Sequence, residues 1–240
     1  MTLVSQIITD AYRELNLIPL GGTPNANQIA EALPRLNSLI MTTVGLEAGD
    51  EMTDVNYGGD FDQSEYVTEY IPDNTRLLIN ATAALTIDAD PRPLDGQLMA
   101  VVDASGNFAT YNVIIDGNGR KIEGADTVTL STNSQSARWM YRGDTGNWVK
   151  IEELEAADTM PFPTEFDDYF SQMLAIRLNP RYGQTMTADM ATNIRRWRGA
   201  LRSRYRRKEL NMQTDPGLVN FDDYAYGYND NFSIGRRSPW

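Results

Sequence analysis

The chain has 240 residues, of which 41% are hydrophobic and 22% charged, so it can form one large domain or two small ones with a proper core. It contains no cysteine and no histidine, which excludes disulfides, thiolate nucleophiles, a histidine general base and histidine-ligated metal. The formal net charge is −12, yet residues 195–240 carry ten basic against five acidic residues, so an acidic body bears one basic segment.

Four helices are predicted from apolar residues spaced three and four apart. Thr2 and Thr164 are the expected N-caps of the first and third helices, because a hydroxyl accepts a bond from the first free N–H groups. Pro34 predicts a bend or a late start in the second helix, and Asn179-Pro180 is expected to end the third. The predicted helices span residues 3–17, 27–46, 164–178 and 188–210.

The helical core is expected to contain the apolar side chains that recur on one face of each helix. In the last helix the apolar stripe runs from Met190 to Tyr205, and Trp197 lies within it, so this ring is expected to face the bundle. The predicted core residues are Ile7, Leu36, Phe170, Leu174, Ile194, Trp197 and Leu201.

Between the second and third helices the hydrophobic period changes from 3.6 to 2. Residues 50–65 are acidic and aperiodic, which predicts a loop, and short apolar runs separated by glycine- and asparagine-rich turns follow. Their spacing of about ten residues predicts a small antiparallel sandwich or barrel over residues 77–151. The predicted fold class is α+β: a helical core over residues 1–76 and 152–210, interrupted by this β-domain and followed by an extended arm over 211–240.

A basic stripe runs along the last predicted helix, beside the apolar one. Eight basic residues within 195–208 repel one another, so we expect a partner surface, protein or nucleic acid, rather than a merely solvated face. The stripe consists of Arg195, Arg198, Arg202 and Arg206, extended by Arg196, Arg204, Arg207 and Lys208.

Residues 211–240 have no hydrophobic period but contain many aromatic residues, whereas a merely solvating tail is poor in them. We therefore expect an arm that folds onto a partner, because aromatic side chains bury a large area at a low cost in rotamer entropy. The expected anchors are Phe221, Tyr224, Tyr226, Tyr228, Phe232 and Trp240, with Arg236 and Arg237 available to pair with acids.

Two sequence features could suggest chemistry. Residues 116–119 (DGNG) resemble part of a calcium loop, but the closing glutamate is missing, so a turn is favoured. Carboxylate pairs such as Asp167-Asp168 could serve hydrolysis, yet a chain with 33 acids contains such pairs by composition alone. No stretch reads as a membrane span or a secretory signal. We expect a cytosolic, non-enzymatic protein with no metal, no cofactor and no membrane partner.

With the predicted β-insert set aside, the helical segments resemble the head-to-tail adaptor family of tailed phages. The stretches that carry this likeness are ITDAYRELNLIPLGG, EALPRLNSLI and FPTEFDDYFSQMLAIRLNPRYG. They look most like the tail accessory factors of short-tailed phages, also called packaged-DNA stabilisation proteins. The insert separately resembles small β-domains of phage virion appendages, through PLDGQ, GNFATYNVIIDGNGRKIEG and YRGDTGNWV. Simple adaptors lack such an insert, so the family likeness does not cover its role.

The resemblance implies a homo-oligomeric ring of about twelve copies, assembled in the host cytoplasm and located at the head–tail junction of the virion. The ring would bind the phage portal protein, with the C-terminal arm running along it, and would help to retain packaged DNA. Double-stranded DNA would pass through its lumen without specific binding, which the acidic composition fits. Its lower face would attach tail tube, nozzle or tail-fibre proteins. Two alternatives remain: a nucleic-acid-binding module using the Arg195–Lys208 helix, and a peptidoglycan-hydrolysing virion protein.

Overall fold

The computed structural model describes residues 2–45, 52–59, 62–63, 70–184 and 188–205. Within these ranges the chain forms both helices and strands, which confirms the predicted α+β class. The helices are α1 (Val4–Glu14), α2 (Ala26–Thr43), α3 (Asp167–Tyr182) and α4 (Ala188–Tyr205). The strands are β1 (Thr53–Tyr57), β2 (Thr75–Ile79), β3 (Leu85–Asp88), β4 (Leu98–Asp103), β5 (Val113–Asp116), β6 (Lys121–Ile122), β7 (Thr127–Leu130), β8 (Ser136–Arg142) and β9 (Asn147–Lys150).

Helix α3 is the centre of the helical part, since α1, α2 and α4 all pack against it. Helix α2 begins with a capping box, in which Asn25 and Gln28 exchange side-chain and backbone hydrogen bonds. The predicted cap of α1 is wrong: no side chain caps this helix, and Thr2 donates its hydroxyl to Asp167 at the start of α3. This hydrogen bond joins two helix starts that are far apart in sequence.

Both predicted boundaries of α3 are wrong. The chain enters through a 3-10 turn, Thr164–Phe166, and no side chain caps the helix, so Thr164 is not its N-cap. At the other end α3 continues through Pro180 and stops at Gly183, whose φ is 63°. Asn179 explains the extension, because its side chain exchanges two hydrogen bonds with the backbone of Gln184, at 2.7 and 2.8 Å, and so holds the last turn past the proline.

The helix α2 contains Pro34 in its interior, yet it begins at Ala26. The helix therefore does not start after the proline, which was one of the two predicted outcomes. The buried face of α2 includes Leu36, Leu39 and Ile40, all of which follow the proline. Burial of these side chains offsets the missing backbone hydrogen bond.

The β-part is coiled rather than folded as an antiparallel sandwich or barrel, so that prediction is wrong. Strands β1, β2 and β4 are parallel neighbours in one sheet, and β3 and β5 are parallel neighbours in a second sheet. From β2 to β5 the chain alternates between the two sheets, as in a short β-solenoid. Val55, Leu77 and Val101 consequently lie side by side on successive coils.

Antiparallel strands cover one end of the coil. Strand β7 pairs with β5, and β8 pairs with β4, so the chain reverses direction in both sheets. The β8–β9 connection is a tight hairpin, with Arg142 opposite Asn147 and Gly146 at a φ of 65°. The two-residue strand β6 pairs with β9 at the sheet edge. Period-2 alternation identifies strands but carries no information on the direction of their partners.

A buried carboxylate fixes one corner of the coil. Asp103 ends β4, and its two oxygens accept backbone N–H bonds from Gly106, Asn107, Phe108 and Ser134 at 2.7–3.1 Å. Burial alone would raise the pKa of Asp103, but these four donors outweigh it and hold the pKa below its usual value. The carboxylate therefore ties the turn after β4 to the turn before β8.

One sheet contributes to two hydrophobic cores. Met99 and Trp139 are cross-strand partners whose side chains belong to the core between the two sheets. Their sequence neighbours Leu98 and Met140 point to the opposite face and belong to the helical core, together with Ile151. This alternation follows from the pleat of a strand. The helices and the β-part are thus packed on each other through a shared sheet.

Strand β1 lies in the stretch that was predicted to be a loop, over residues 50–65. Its central residue, Val55, is 7% exposed and belongs to the core between the sheets. The expectation of a loop is wrong at this strand because Thr53–Tyr57 is too short and polar to show a clear period. Strands therefore occur before residue 77, the predicted start of the β-domain.

Candidate interaction surface on α4

The apolar side of α4 lies against the bundle, and its arginine side faces outward. Ile194 is 7% exposed and Leu201 fully buried, so the predicted stripe packs inward. Arg195 and Arg202 are exposed, while Arg198 is half-buried between the two sides. The remaining predicted interface residues lie outside the described residues: Arg206, Arg207, Lys208, Phe221, Tyr224, Tyr226, Tyr228, Phe232, Arg236, Arg237 and Trp240.

The other predicted core residues are buried, with one exception. Trp197 was expected to face the bundle but is only half-buried. Its ring meets Phe166 edge-on, with the centroids 6.2 Å apart, and the guanidinium of Arg196 lies 5.7 Å from its centroid. Trp197 therefore covers the margin of the core. The buried members are Ile7, Leu36, Phe170, Leu174, Ile194 and Leu201.

At its C-terminal end, α4 is fastened to the β-part. The Arg204 guanidinium donates to Asp95, in the β3–β4 loop, at 3.0 Å, and to Glu165 before α3. The sequence pattern placed Arg204 in the outward basic stripe, but its charge is used inside the chain. An arginine fork can bind two carboxylates at once, which helical spacing alone does not reveal.

The β3–β4 loop and the end of α4 approach each other closely at a glycine. At Gly96, whose φ is 83°, an added Cβ would lie 2.5 Å from Cδ1 of Tyr205. The Tyr205 ring also contacts Phe162 and Phe166, with centroid distances of 5.6 and 6.3 Å. Burial raises the pKa of the Tyr205 hydroxyl. The PLDGQ segment therefore forms part of the surface against which α4 packs.

A buried arginine continues the joint on the β8–β9 hairpin. Arg142 is 2% exposed, and its guanidinium holds Asp144 through two bonds of 3.0 and 2.6 Å. Hydrogen bonding from Arg142 lowers the pKa of Asp144 below its usual value. A third bond, of 3.1 Å, reaches the carbonyl of Met160. Asp95 also accepts the Gly143 N–H at 2.8 Å, so loop, hairpin and helix form one connected network.

An acidic patch lies on α1 and the start of α3. Burial raises the pKa of Glu14, and the neighbouring Asp168 and Asp10 raise it further. The pKa of Asp167 is also raised, chiefly by burial, although the hydrogen bond from Thr2 opposes the change. The charged forms of these two carboxyls are therefore less favourable in the folded protein than in water.

The two features that suggested chemistry have structural roles. At residues 116–119 the chain turns from β5 to β6: Asp116 accepts the Asn118 N–H at 2.7 Å, and the Asn118 amide reaches the Ala89 carbonyl at 3.0 Å. In the carboxylate pair Asp167-Asp168, Asp167 accepts a hydrogen bond from the Thr2 hydroxyl. Across the described ranges, no three acidic side chains are grouped as metal ligands, and no helix has the length and apolarity to cross a membrane.

Comparison with known proteins assigns the chain to no family. No protein-family model matches the sequence, and a search of curated proteins finds no match either. The case for a function therefore rests on the resemblance of the helical segments and on the charges that the structure presents.

Proposed function

We propose that this protein is a structural adaptor of a tailed-phage virion, which assembles as a ring on the portal and continues the DNA channel. The ring would help to retain packaged DNA and provide the platform for the tail. The observation that carries the proposal is the outward arginine face of α4 on a strongly acidic chain, with Arg195 and Arg202 exposed. Such a face favours an acidic partner surface.

The anchoring of α4 supports this role. Its apolar side is buried against α3, and its last described turn is fixed by Arg204 and Tyr205. A rigid helix presents its outward charges in a defined geometry, so that little side-chain and backbone freedom is lost on docking.

The net charge supports passage of DNA without retention. At a formal charge of −12, the chain as a whole repels phosphate. A ring built from such chains would keep a duplex away from its wall unless the arginines faced the lumen. We therefore assign these arginines to protein contacts.

The test is a double reversal on α4, Arg198→Glu with Arg202→Glu. We expect a folded protein that no longer forms rings or co-sediments with the portal protein of the same phage, as seen by cryo-EM and sedimentation. Arg120→Glu with Lys121→Glu is the matched control, since it changes charge equally on the β-part. Failure of the wild-type protein to form rings or to bind portal would overturn the proposal, whereas normal assembly of the α4 variant would overturn only the role given to these arginines.

A second candidate function, a nucleic-acid-binding module, is favoured by the spacing of Arg195, Arg198 and Arg202 along one side of α4. Phosphate contacts of this kind give affinity that falls steeply with salt. If the wild-type protein retains duplex DNA in a salt-dependent way and the α4 variant does not, while assembly is unchanged, this second function holds instead.

A further inference from the structure

The sequence contains three steps at which an aspartate or asparagine is followed by glycine. They are Asp95-Gly96, Asp116-Gly117 and Asn118-Gly119, and the last is the single Asn-Gly step of the chain. At such a step the backbone nitrogen of the glycine can attack the side-chain carbonyl of the preceding residue, because glycine has no side chain to obstruct the approach. The structure distinguishes the three glycine nitrogens by what each of them contacts.

The Asn118-Gly119 step forms the centre of an exposed turn. Arg120 donates its N–H to the Gly117 carbonyl at 2.9 Å, which closes the turn. Both central residues have a positive φ, 51° at Asn118 and 82° at Gly119, as a type I′ turn requires. Gly119 is exposed, and apart from its chain neighbours no atom of the described residues lies within 4 Å of where its Cβ would be. Its N–H donates no hydrogen bond within those residues, so this nitrogen is accessible.

The nitrogens of the other two glycines are engaged in hydrogen bonds. Gly96 donates its N–H to the Tyr141 carbonyl at 2.9 Å. Gly117 is buried and donates to the Asp126 carbonyl at 2.8 Å. Each of these bonds must open before the nitrogen can attack, so folding protects both Asp-Gly steps. Among the three steps, the accessible nitrogen therefore belongs to the one that carries an amide.

The Asn118 amide holds the turn in place. It donates to the Ala89 carbonyl, just after β3, at 3.0 Å. The Asn118 backbone N–H donates to the Asp116 carboxylate at 2.7 Å. A carboxylate at position 118 would face a carbonyl oxygen in place of donating to it, and it would lie near a second carboxylate. Both changes are unfavourable, so replacement of this amide by a carboxyl group would weaken the turn.

We propose that Asn118 is a site of spontaneous deamidation in the folded protein. The Gly119 nitrogen forms a bond to Cγ of Asn118, the Cγ–Nδ2 bond breaks, and ammonia leaves with the proton that the Gly119 nitrogen releases. Water then opens the resulting cyclic imide at either of its carbonyl carbons. The products are aspartate and isoaspartate, each of which carries one more negative charge than asparagine. The reaction needs water alone, and it is independent of the adaptor role.

The test is prolonged incubation of the full-length protein at mildly alkaline pH, both folded and unfolded in urea. Proteolysis and mass spectrometry with fragmentation measure the mass gained at each asparagine when its amide becomes a carboxyl group. Asn112 is the internal control, since it is exposed but is followed by Val113, whose branched side chain obstructs attack. In the folded protein we expect deamidation at Asn118 and not at Asn112. Equal extents at the two positions would overturn the proposal.

Asp95→Asn tests the role of the glycine hydrogen bonds, because it provides a second Asn-Gly step whose nitrogen is engaged by Tyr141. In the folded variant we expect position 95 to react at least about tenfold more slowly than Asn118, since its bond must open first. In urea the two rates should converge. Equal rates in the folded variant, or equal protection of both positions by folding, would contradict the proposal. If circular dichroism shows that this variant does not fold, Asp116→Asn provides the same comparison at the buried Gly117.

Thermal melts measure the consequence for the turn. Asn118→Asp should melt at a lower temperature than the wild type, because its side chain no longer donates to Ala89. Wild-type protein should approach this lower midpoint as incubation proceeds. Asn118→Gln lacks the favourable ring size for the attack, so it should keep its initial midpoint under the same treatment. Deamidated wild type that melts at its original temperature would overturn the predicted weakening of the turn.

Discussion

The helical part of this molecule contains hydrogen bonds between residues close in sequence, whereas the β-part pairs residues that are far apart in sequence. A helix forms its hydrogen bonds within one turn, so its buried face is visible as a period in the local sequence. The coil instead pairs strands that are distant along the chain, as in the line of Val55, Leu77 and Val101. Local periodicity can therefore reveal the strands, but the order in which they pair is set by non-local contacts.

Removal of the β-part should have the largest effect, because it tests whether the helical part can fold without non-local contacts. If residues 75–150 are replaced by a short Gly/Ser linker, we expect the helices to lose their cooperative thermal transition, because Leu98 and Met140 leave the helical core. Circular dichroism during heating measures this. The graded control is Met140→Ala, for which we expect a loss of about 2–5 kcal/mol in the free energy of unfolding. A deletion variant that still melts cooperatively would show that the helices are independent.

A comparison of two aromatic residues tests how the helical core is closed. We expect Phe170→Ala to lower the free energy of unfolding by about 3–5 kcal/mol, because the ring is fully buried against Phe162. Trp197→Ala should cost less, about 1–2 kcal/mol, because its side chain is partly exposed. Urea denaturation of the two variants provides the comparison. Equal losses would mean that Trp197 is covered in solution, for example by another copy.

The corner of the coil can be tested through Asp103. We expect Asp103→Asn to cost about 2–3 kcal/mol at neutral pH, because one carboxylate serves four backbone donors. Since its pKa in the folded protein is lowered, the carboxylate stabilises the fold above its unfolded pKa of about 3.9. That contribution is lost as the pH falls through the lower, folded value.

Urea denaturation between neutral and acidic pH measures this linkage. The stability of the wild type should converge on that of Asp103→Asn as the pH falls. Asp126→Asn is the control, since its carboxylate is exposed and ion-paired with Lys121, and its loss should change stability little. A constant difference between wild type and Asp103→Asn at every pH would contradict the assignment.

The smallest expected effect concerns the joint between α4 and the β3–β4 loop. Arg204→Gln should lower the free energy of unfolding by about 1 kcal/mol, because both of its ion pairs are partly exposed to solvent. Arg195→Gln is the matched control on the same helix and should leave the stability of the monomer unchanged. Thermal melts at low and high salt should show the Arg204 effect shrinking with salt.

The extent to which the sequence determines these features differs between the regions. The apolar stripes located the helices and, with the exception of Trp197, the core residues predicted on them, because burial repeats with the helical turn. They did not anticipate the extension past Pro180, which depends on two hydrogen bonds from Asn179. The direction of strand pairing was also missed, since the same alternation suits parallel and antiparallel neighbours. At the candidate surface, helical spacing grouped Arg204 with the outward arginines. Its partner Asp95 lies more than one hundred positions away in the sequence, so helical spacing carries no information on this ion pair.

The coil also limits how the length of this protein can change. Strands in a sheet are about 4.8 Å apart, so one additional coil between β2 and β4 would move the antiparallel end outward by roughly that distance. A duplication of one coil, as from Leu77 to Val101, preserves every inward side chain. Insertion of a single residue into a strand would instead turn the following side chains to the wrong face. Natural variants of this protein are therefore expected to differ in reach by whole coils.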